Sequence, residues 1–371
     1  MALSILSYPS DTSSVTNEML FVINEATKAN DEVTYPDYKY VLDVYVDSTI
    51  VARIKVNPDP VNRFGIFNIS DILRDYVPSY GFDTSADIVD YDVRLAYQVK
   101  LGEEYDGTTY TNQVTDSERY CFRSYAARPY LTSAVLANGL ASNMPSTINS
   151  FGNPVLYNYI PYFSNVSGVT DLTVTYKDSA GNTLNSGTFD NSDFVANKIR
   201  QYNIENSLAA SSYVLLTGPF SLRINYVCTK YPVQTLVWLN PYGAYESQTF
   251  GLVSKKSIEI EKKSFEKLNY QINASGEVSY STGGVFYGGK RDYNKRVKTK
   301  YSFTSHLLNE DEYSWLADLF ISPEVYILYN EYWIPVSIER NNYDYNTYQN
   351  SRLTPLQFDV EFSEQYNSQY L

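Results

Sequence analysis

The chain has 371 residues, 43% of them hydrophobic and 19% charged, which is long enough for two or three ordinary cores and too apolar for disorder. Its 42 acidic against 29 basic side chains leave a net charge of -13, which opposes long-range attraction to phosphate backbones and disfavours nucleic acid as a partner. Two cysteines and one histidine exclude a disulfide framework and multi-histidine or cysteine-based metal sites.

Met1 to Ser14 lacks a basic stretch followed by an apolar one, and no apolar run reaches the roughly 20 residues of a membrane span. The expectation is a soluble product made in a cytoplasm, without a membrane partner. Tyrosine is in excess, at 38 against 17 Phe and 3 Trp. A large ring with a polar tip suits half-buried sheet faces and subunit contacts.

In chain order, Glu18 to Thr27 reads as a strand. Tyr38, Tyr40, Leu42, Val44 and Val46 share one face, Asp47-Ser48-Thr49 turns the chain, and Ile50, Ala52, Ile54 and Val56 return it, giving a hairpin over 38–56. A short helix is predicted over Ser70 to Tyr76, capped by Ser70. Val93 to Leu101 alternates without exception, and Glu118 to Ala126 completes a sandwich-like domain over 1–128.

Residues 127–168 are rich in Pro, Ser, Asn and Gly, which places a boundary near Arg128 and Pro129. Strands resume at Leu172 to Tyr176, turn through Asp178 to Asn182, and continue at Phe220 to Cys228 and Val233 to Leu239, which stops at Asn240-Pro241-Tyr242-Gly243. This predicts a second sandwich-like β-domain over 129–250. Cys121 and Cys228, one in each domain, are expected to be unlinked core thiols.

The third expected domain, 251–371, is β-rich with one short helix. A strand at Ser257 to Glu261 leads through the loop holding Gly283, Gly284, Gly288 and Gly289 to a basic strand at Arg296 to Phe303. A helix is predicted over 310–321, with Asn309 and Glu312 forming a capping box and Pro323 ending it. Tyr313, Leu316, Ala317 and Phe320 form its buried face. A hairpin follows, Val325 to Tyr329 and Trp333 to Ile338 around Asn330 and Glu331, then a strand at Leu356 to Phe362 and a polar tail after Glu364. The fold class is mainly β.

Charge divides this domain. Residues 254–300 hold 11 Lys or Arg and 5 Asp or Glu, net +6, whereas 301–371 hold 2 and 11, net -9. The two stretches either pair from subunit to subunit or neutralise one another between adjacent strands. On the first reading Lys290, Arg291, Lys295, Arg296, Lys298 and Lys300 form a candidate assembly interface.

No motif marks a catalytic residue, a cofactor or a metal. Walker, dinucleotide and EF-hand loops are absent from the sequence, as is a G-x-S-x-G elbow. His306 reads as a plain loop or core residue between a predicted strand and the helix cap. Glu103 with Glu104, or Asp190 with Asp193, are the carboxylate pairs a glycosidase would need, and Asp190, Asn191 and Asp193 are oxygen ligands without a dedicated calcium spacing. Acidic residues in loops more often serve as solvated turns.

Three stretches carry a resemblance: Tyr38 to Tyr76 with Gly65-Ile66-Phe67-Asn68-Ile69-Ser70; Lys230-Tyr231-Pro232 through Leu239-Asn240-Pro241-Tyr242-Gly243-Ala244-Tyr245-Glu246; and Tyr313 to Tyr326 with Ser322-Pro323-Glu324. Together they resemble tail or virion structural proteins of Bacteroidetes-infecting, crAss-like bacteriophages, in which Arg tends to stand where this chain has Pro241. The resemblance implies a non-enzymatic tail, baseplate or neck component that forms a homo-oligomeric ring with other virion proteins. It transfers no functional residue. A receptor- or glycan-binding tail protein is the second reading, with exposed aromatic rings stacking on sugars, and a carboxylate glycoside hydrolase the third.

Overall fold

The computed structural model describes residues 3–10, 12–78, 81–124, 139–152, 157–164, 166–196, 198–205, 208, 210–252, 254–339, 354–363 and 366–369. The chain is mainly β, with 56% strand and 6% helix. It divides into two compact units: residues 1–228 with 237–248, and residues 229–236 with 249–371.

In the first unit the predicted hairpin is Lys39–Val46 paired with Thr49–Val56, and Asp47 and Ser48 take φ of 47° and 65° at its turn. Two left-handed residues in succession match the twist of the flanking strands. Lys39–Val46 also pairs with Arg94–Tyr105, so Tyr40, Leu42, Val44, Val99 and Leu101 share one fully buried face. Arg119–Phe122 closes that sheet, paired with Arg94–Tyr105 and parallel to Thr12–Ser14. A three-stranded sheet, Ser4–Ser7, Leu20–Asn24 and Gly65–Asn68, brings Phe21, Ile23 and Phe67 into the same core.

The expected boundary at Arg128 and Pro129 lies outside the described residues, but the chain on either side of it is woven together. Ile88–Tyr91, from the expected first domain, pairs with Lys198–Glu205, from the expected second, and Tyr157–Ser164 pairs with the other side of Lys198–Glu205. One compact unit therefore holds most of both. Five further strands, Thr147–Phe151, Ser221–Val227, Tyr213–Thr217, Leu172–Lys177 and Thr183–Phe189, form the fourth sheet.

Several local expectations need correction. The first helix spans only Ser70–Arg74, and Ser70 does not cap it. Instead Asn68 Oδ1 accepts from the Ser70 amide and hydroxyl at 3.1 and 2.9 Å and from the Met19 amide at 3.1 Å. Both thiols are free, but only Cys121 is buried while Cys228 is exposed. The polar tail carries a strand, Tyr366–Gln369, whose backbone pairs with residues 294–297. It was illegible because its partner, not its own pattern, makes it extended.

The three stretches that carry the resemblance are turn and packing chemistry. Gly65 is required because a Cβ there would meet the Tyr40 ring at 2.6 Å. Asn240 Oδ1 accepts from the Tyr242 and Ala244 amides, both at 3.0 Å, while its Nδ2 donates to the Ala141 carbonyl at 2.7 Å and Gly243 takes φ of 86°. Ser322 Oγ donates to the Glu324 carbonyl at 2.8 Å just after the second helix.

In the second unit the sheet runs Val325–Tyr329, Tyr332–Ile338, Thr354–Phe362, Gly289–Leu308, Lys255–Lys267. The helix Glu310–Ile321 carries the predicted capping box at Asn309 and Glu312. Trp315 and Leu319 join Tyr313, Leu316 and Ala317 in its buried face, and Phe320 meets Phe358 edge-on at 5.2 Å. An aromatic row, Phe250, Phe303, Phe358, Tyr301 and Phe362, fills the core with ring centroids 5.4 to 6.0 Å apart.

Two outcomes follow from this packing. Gly65→Ala lowers unfolding stability by about 1–3 kcal/mol in urea titration, whereas Gly187→Ala, at a strand position with open space around it, costs under about 1 kcal/mol. In the native protein a water-soluble thiol reagent modifies Cys228 and spares Cys121, whose thiol burial pushes upward. Modification of both at equal rates in the folded state would contradict the core.

Candidate assembly surface

The second unit contains a hairpin far longer than the sequence suggested. Lys255–Lys267 and Gly289–Leu308 are 13 and 20 residues long and pair in antiparallel register from Lys255 opposite Ser302 to Lys267 opposite Gly289. At about 3.3 Å per residue the paired region is about 40 Å long. The alternation was legible only at 257–261 and 296–303, because charged residues fill both faces beyond those points.

Directly opposed residues share a face, so the register sorts the side chains. One face carries Ile258 opposite Thr299 and Ile260 opposite Val297; the other carries Glu259 opposite Lys298 and Glu261 opposite Arg296. Lys256, at the base, donates from Nζ to the Tyr329 hydroxyl at 3.0 Å and sits 5.0 Å from that ring's centre. The apolar face continues that of Tyr301 and Phe303, which are buried, yet Ile258 and Ile260 are 59% and 56% exposed.

The far end is still more exposed. Residues 268–289 contain one charged side chain, Glu277, and form two miniature hairpins, Gln271–Ile272 with Val278–Ser279 and Ser281–Thr282 with Val285–Phe286. Leu268, Ile272, Tyr280, Val285 and Phe286 are 58% to 68% exposed. Of the 28 large apolar side chains exposed among the described residues, 11 fall within 254–300. Scattered apolar residues need no explanation, whereas such a concentration is unusual for exposed surface.

The six candidate interface residues separate into two groups. Lys300 bridges Glu259 at 2.7 Å and Glu339 at 2.6 Å, and Lys298 lies 3.3 Å from Glu361 and 3.9 Å from Glu261. These two are neutralised inside the chain, and Lys295 has Asp292 at 3.4 Å. Lys290, Arg291 and Arg296 have no ion pair among the described residues. The +6 and -9 stretches thus cancel at the hairpin's base and leave free charge toward its far end. Glu259 and Glu339 raise the Lys300 ammonium, and in return Lys300 holds the Glu339 carboxyl below its ordinary value.

The catalytic candidates do not converge. Glu103 and Glu104 are neighbours on one strand and face opposite ways: Glu103 is bound by Lys28, Tyr38 and Gln113, Glu104 by Lys55 and Thr109. Around Asp190, Asn191 and Asp193 the cation is the protein's own. Arg200, 1% exposed, donates to the Asp190 carbonyl, to Asn191 Oδ1 and to Asp193 Oδ1 at 3.4, 3.1 and 2.9 Å. Among the described residues no three His, Cys, Asp or Glu side chains are grouped to hold a metal.

His306 sits within Gly289–Leu308 rather than in a loop, with Nε2 3.5 Å from the capping Glu312. Trp238 and Trp315 are buried and present no ring to a sugar. A depression of about 420 Å³ on the polar face of the sheet is lined by Ser302, Thr304, Glu339, Gln357 and Asp359, and Glu339 there is committed to Lys300. The chain matches no protein-family model and no curated protein.

The Lys300 network yields a titration test. A depressed carboxylate contributes stability above its ordinary pKa and loses it as pH falls through its own lower value. In Lys300→Gln the NMR-detected midpoint of Glu339 moves up toward the ordinary carboxylate range; an unmoved midpoint would show that Lys300 does not set it.

Proposed function

We propose that this chain is a non-enzymatic assembly subunit of a bacteriophage virion, a tail, baseplate or neck component that joins copies of itself and other virion proteins. The single observation that carries the assembly reading is the long hairpin of the second unit, with its exposed apolar face and an apolar end that holds a single charge. Exposed area of this kind is costly in water and is retained where a partner covers it. The virion address rests on the resemblance in the three turn stretches.

Charge supports contact between copies. The stretch 254–300 is net +6, whereas all other residues hold 18 Lys or Arg against 37 Asp or Glu, net -19. Basic hairpins and acidic bodies attract at a distance, which favours encounter and orientation. The apolar end then supplies the buried area that individually weak surface ion pairs cannot.

The test is sedimentation velocity of the purified chain at 0.1 and 1 M salt, where screening falls from about 10 to about 3 Å. Wild type forms oligomers that loosen at high salt. Lys290→Glu with Arg291→Glu and Arg296→Glu weakens them, and Tyr280→Ser with Val285→Ser and Phe286→Ser abolishes them, with far-ultraviolet dichroism unchanged. A chain that stays monomeric at every concentration would end this reading.

A further inference from the structure

The long hairpin has two edges, and the chain treats them differently. From residue 294 onward the edge of Gly289–Leu308 is covered by its own strands: Thr354–Phe362 pairs with residues 300–308 and Tyr366–Gln369 with residues 294–297. Lys255–Lys267 ends the sheet, and no described strand pairs with its far side. Thirteen residues of unsealed edge are a template for another strand.

Resting on the assembly reading, we infer that Lys255–Lys267 pairs antiparallel with the same strand of a second copy, across a twofold axis at Ser264. A twofold contact must be self-complementary. With Ser264 opposite itself, Lys262 faces Glu266 of the second copy and Glu261 faces Lys267, each pair occurring twice. Ile260 then faces Leu268, so two residues that are 56% and 68% exposed cover one another. Lys262, Glu266 and Lys267 have no ion pair within the chain among the described residues, so their charges are available.

Neighbouring registers are worse. An axis at Ile260 sets Glu259 against Glu261. One at Glu261 forms Glu259–Lys263 and Lys256–Glu266 pairs but opposes Glu261 to itself and Lys255 to Lys267. Axes at Lys262 and Lys263 each oppose a lysine to itself, and one at Ile258 offers only Lys255 with Glu261. The Ser264 register alone gives four opposite-charge pairs and no like pair. Cross-strand pairs act through direct opposition, so register is what the charges select.

The decisive experiment is a charge swap read by sedimentation at 0.1 M salt. Lys262→Glu and Glu266→Lys each turn two attractive pairs into two repulsive ones and weaken dimerisation by about tenfold. The combined variant restores both pairs and recovers wild-type affinity. In a Cys228→Ser background, Ser264→Cys forms a disulfide-linked dimer under mild oxidation while Ser257→Cys, same strand but off the axis, does not. Wild-type oligomers indifferent to both single swaps, or not recovered by the double, overturn the edge pairing while leaving the assembly reading intact. Failure of Ser264→Cys to link, or equal linkage by Ser257→Cys, does the same. A wild-type chain that is monomeric throughout removes both.

Discussion

Residues 301–308 of the strand Gly289–Leu308 are locked in register by Thr354–Phe362 on one side, with Tyr301 opposite Val360 and Phe303 opposite Phe358. Alternation carries the faces set by this buried half through residues 294–300, as far as the irregularity at which Lys263 opposite Asn294 is followed by Ser264 opposite Asp292. The aromatic row therefore acts at a distance. A slip of one residue at Phe303 would turn Val297 and its neighbour Ile260 to the charged face and take Glu259 and Arg296 to the apolar one. The geometry of the exposed hairpin is a consequence of core packing, and no local preference of its charged sequence could impose it.

The ion-pair network at the hairpin's base has a corresponding role. Exposed pairs contribute about 0.2–1 kcal/mol each, too little to hold a fold, but Lys300 reaches Glu259 and Glu361 on two different strands and Glu339 just past the end of a third. Such a hub orients strands that the aromatic core already fixes. It also consumes charge where the hairpin meets its sheet, so that net positive charge persists toward the far end.

The sequence made the alternating strands readable, and with them the capping box at Asn309 and the left-handed turns at Asp47-Ser48 and Asn330-Glu331. It concealed elements whose pattern lacks alternation. Tyr157–Ser164 has Tyr159, Ile160, Tyr162 and Phe163 all buried, a continuous apolar run that period-two reasoning leaves as a loop, and Pro161 argued against a strand as well. Thr108–Thr115 is mostly polar, with Tyr110 and Val114 its apolar positions, and is announced chiefly by Asp106-Gly107, a pair whose φ of 49° and 69° closes the turn. The basic cluster was visible as composition, but which lysines are spent inside the chain depends on partners such as Glu339, some forty residues away.

The excess of tyrosine also divides by environment. In the first unit Tyr40, Tyr159, Tyr162 and Tyr202 are buried, and buried hydroxyls find acceptors, as Tyr40 does on the Arg63 carbonyl at 2.8 Å and Tyr202 on Asn191 at 2.8 Å. On the hairpin, Tyr270, Tyr280 and Tyr293 are 41% to 59% exposed, where the polar tip of the same amphipathic ring stays in water. Lysine and glutamate along Lys255–Lys267 serve a similar double purpose. Charges on an open edge repel the casual addition of strands whose pattern does not match, while a partner with the complementary pattern is accepted. In such an edge the penalty for a mismatched neighbour and the attraction for a matching one come from the same side chains.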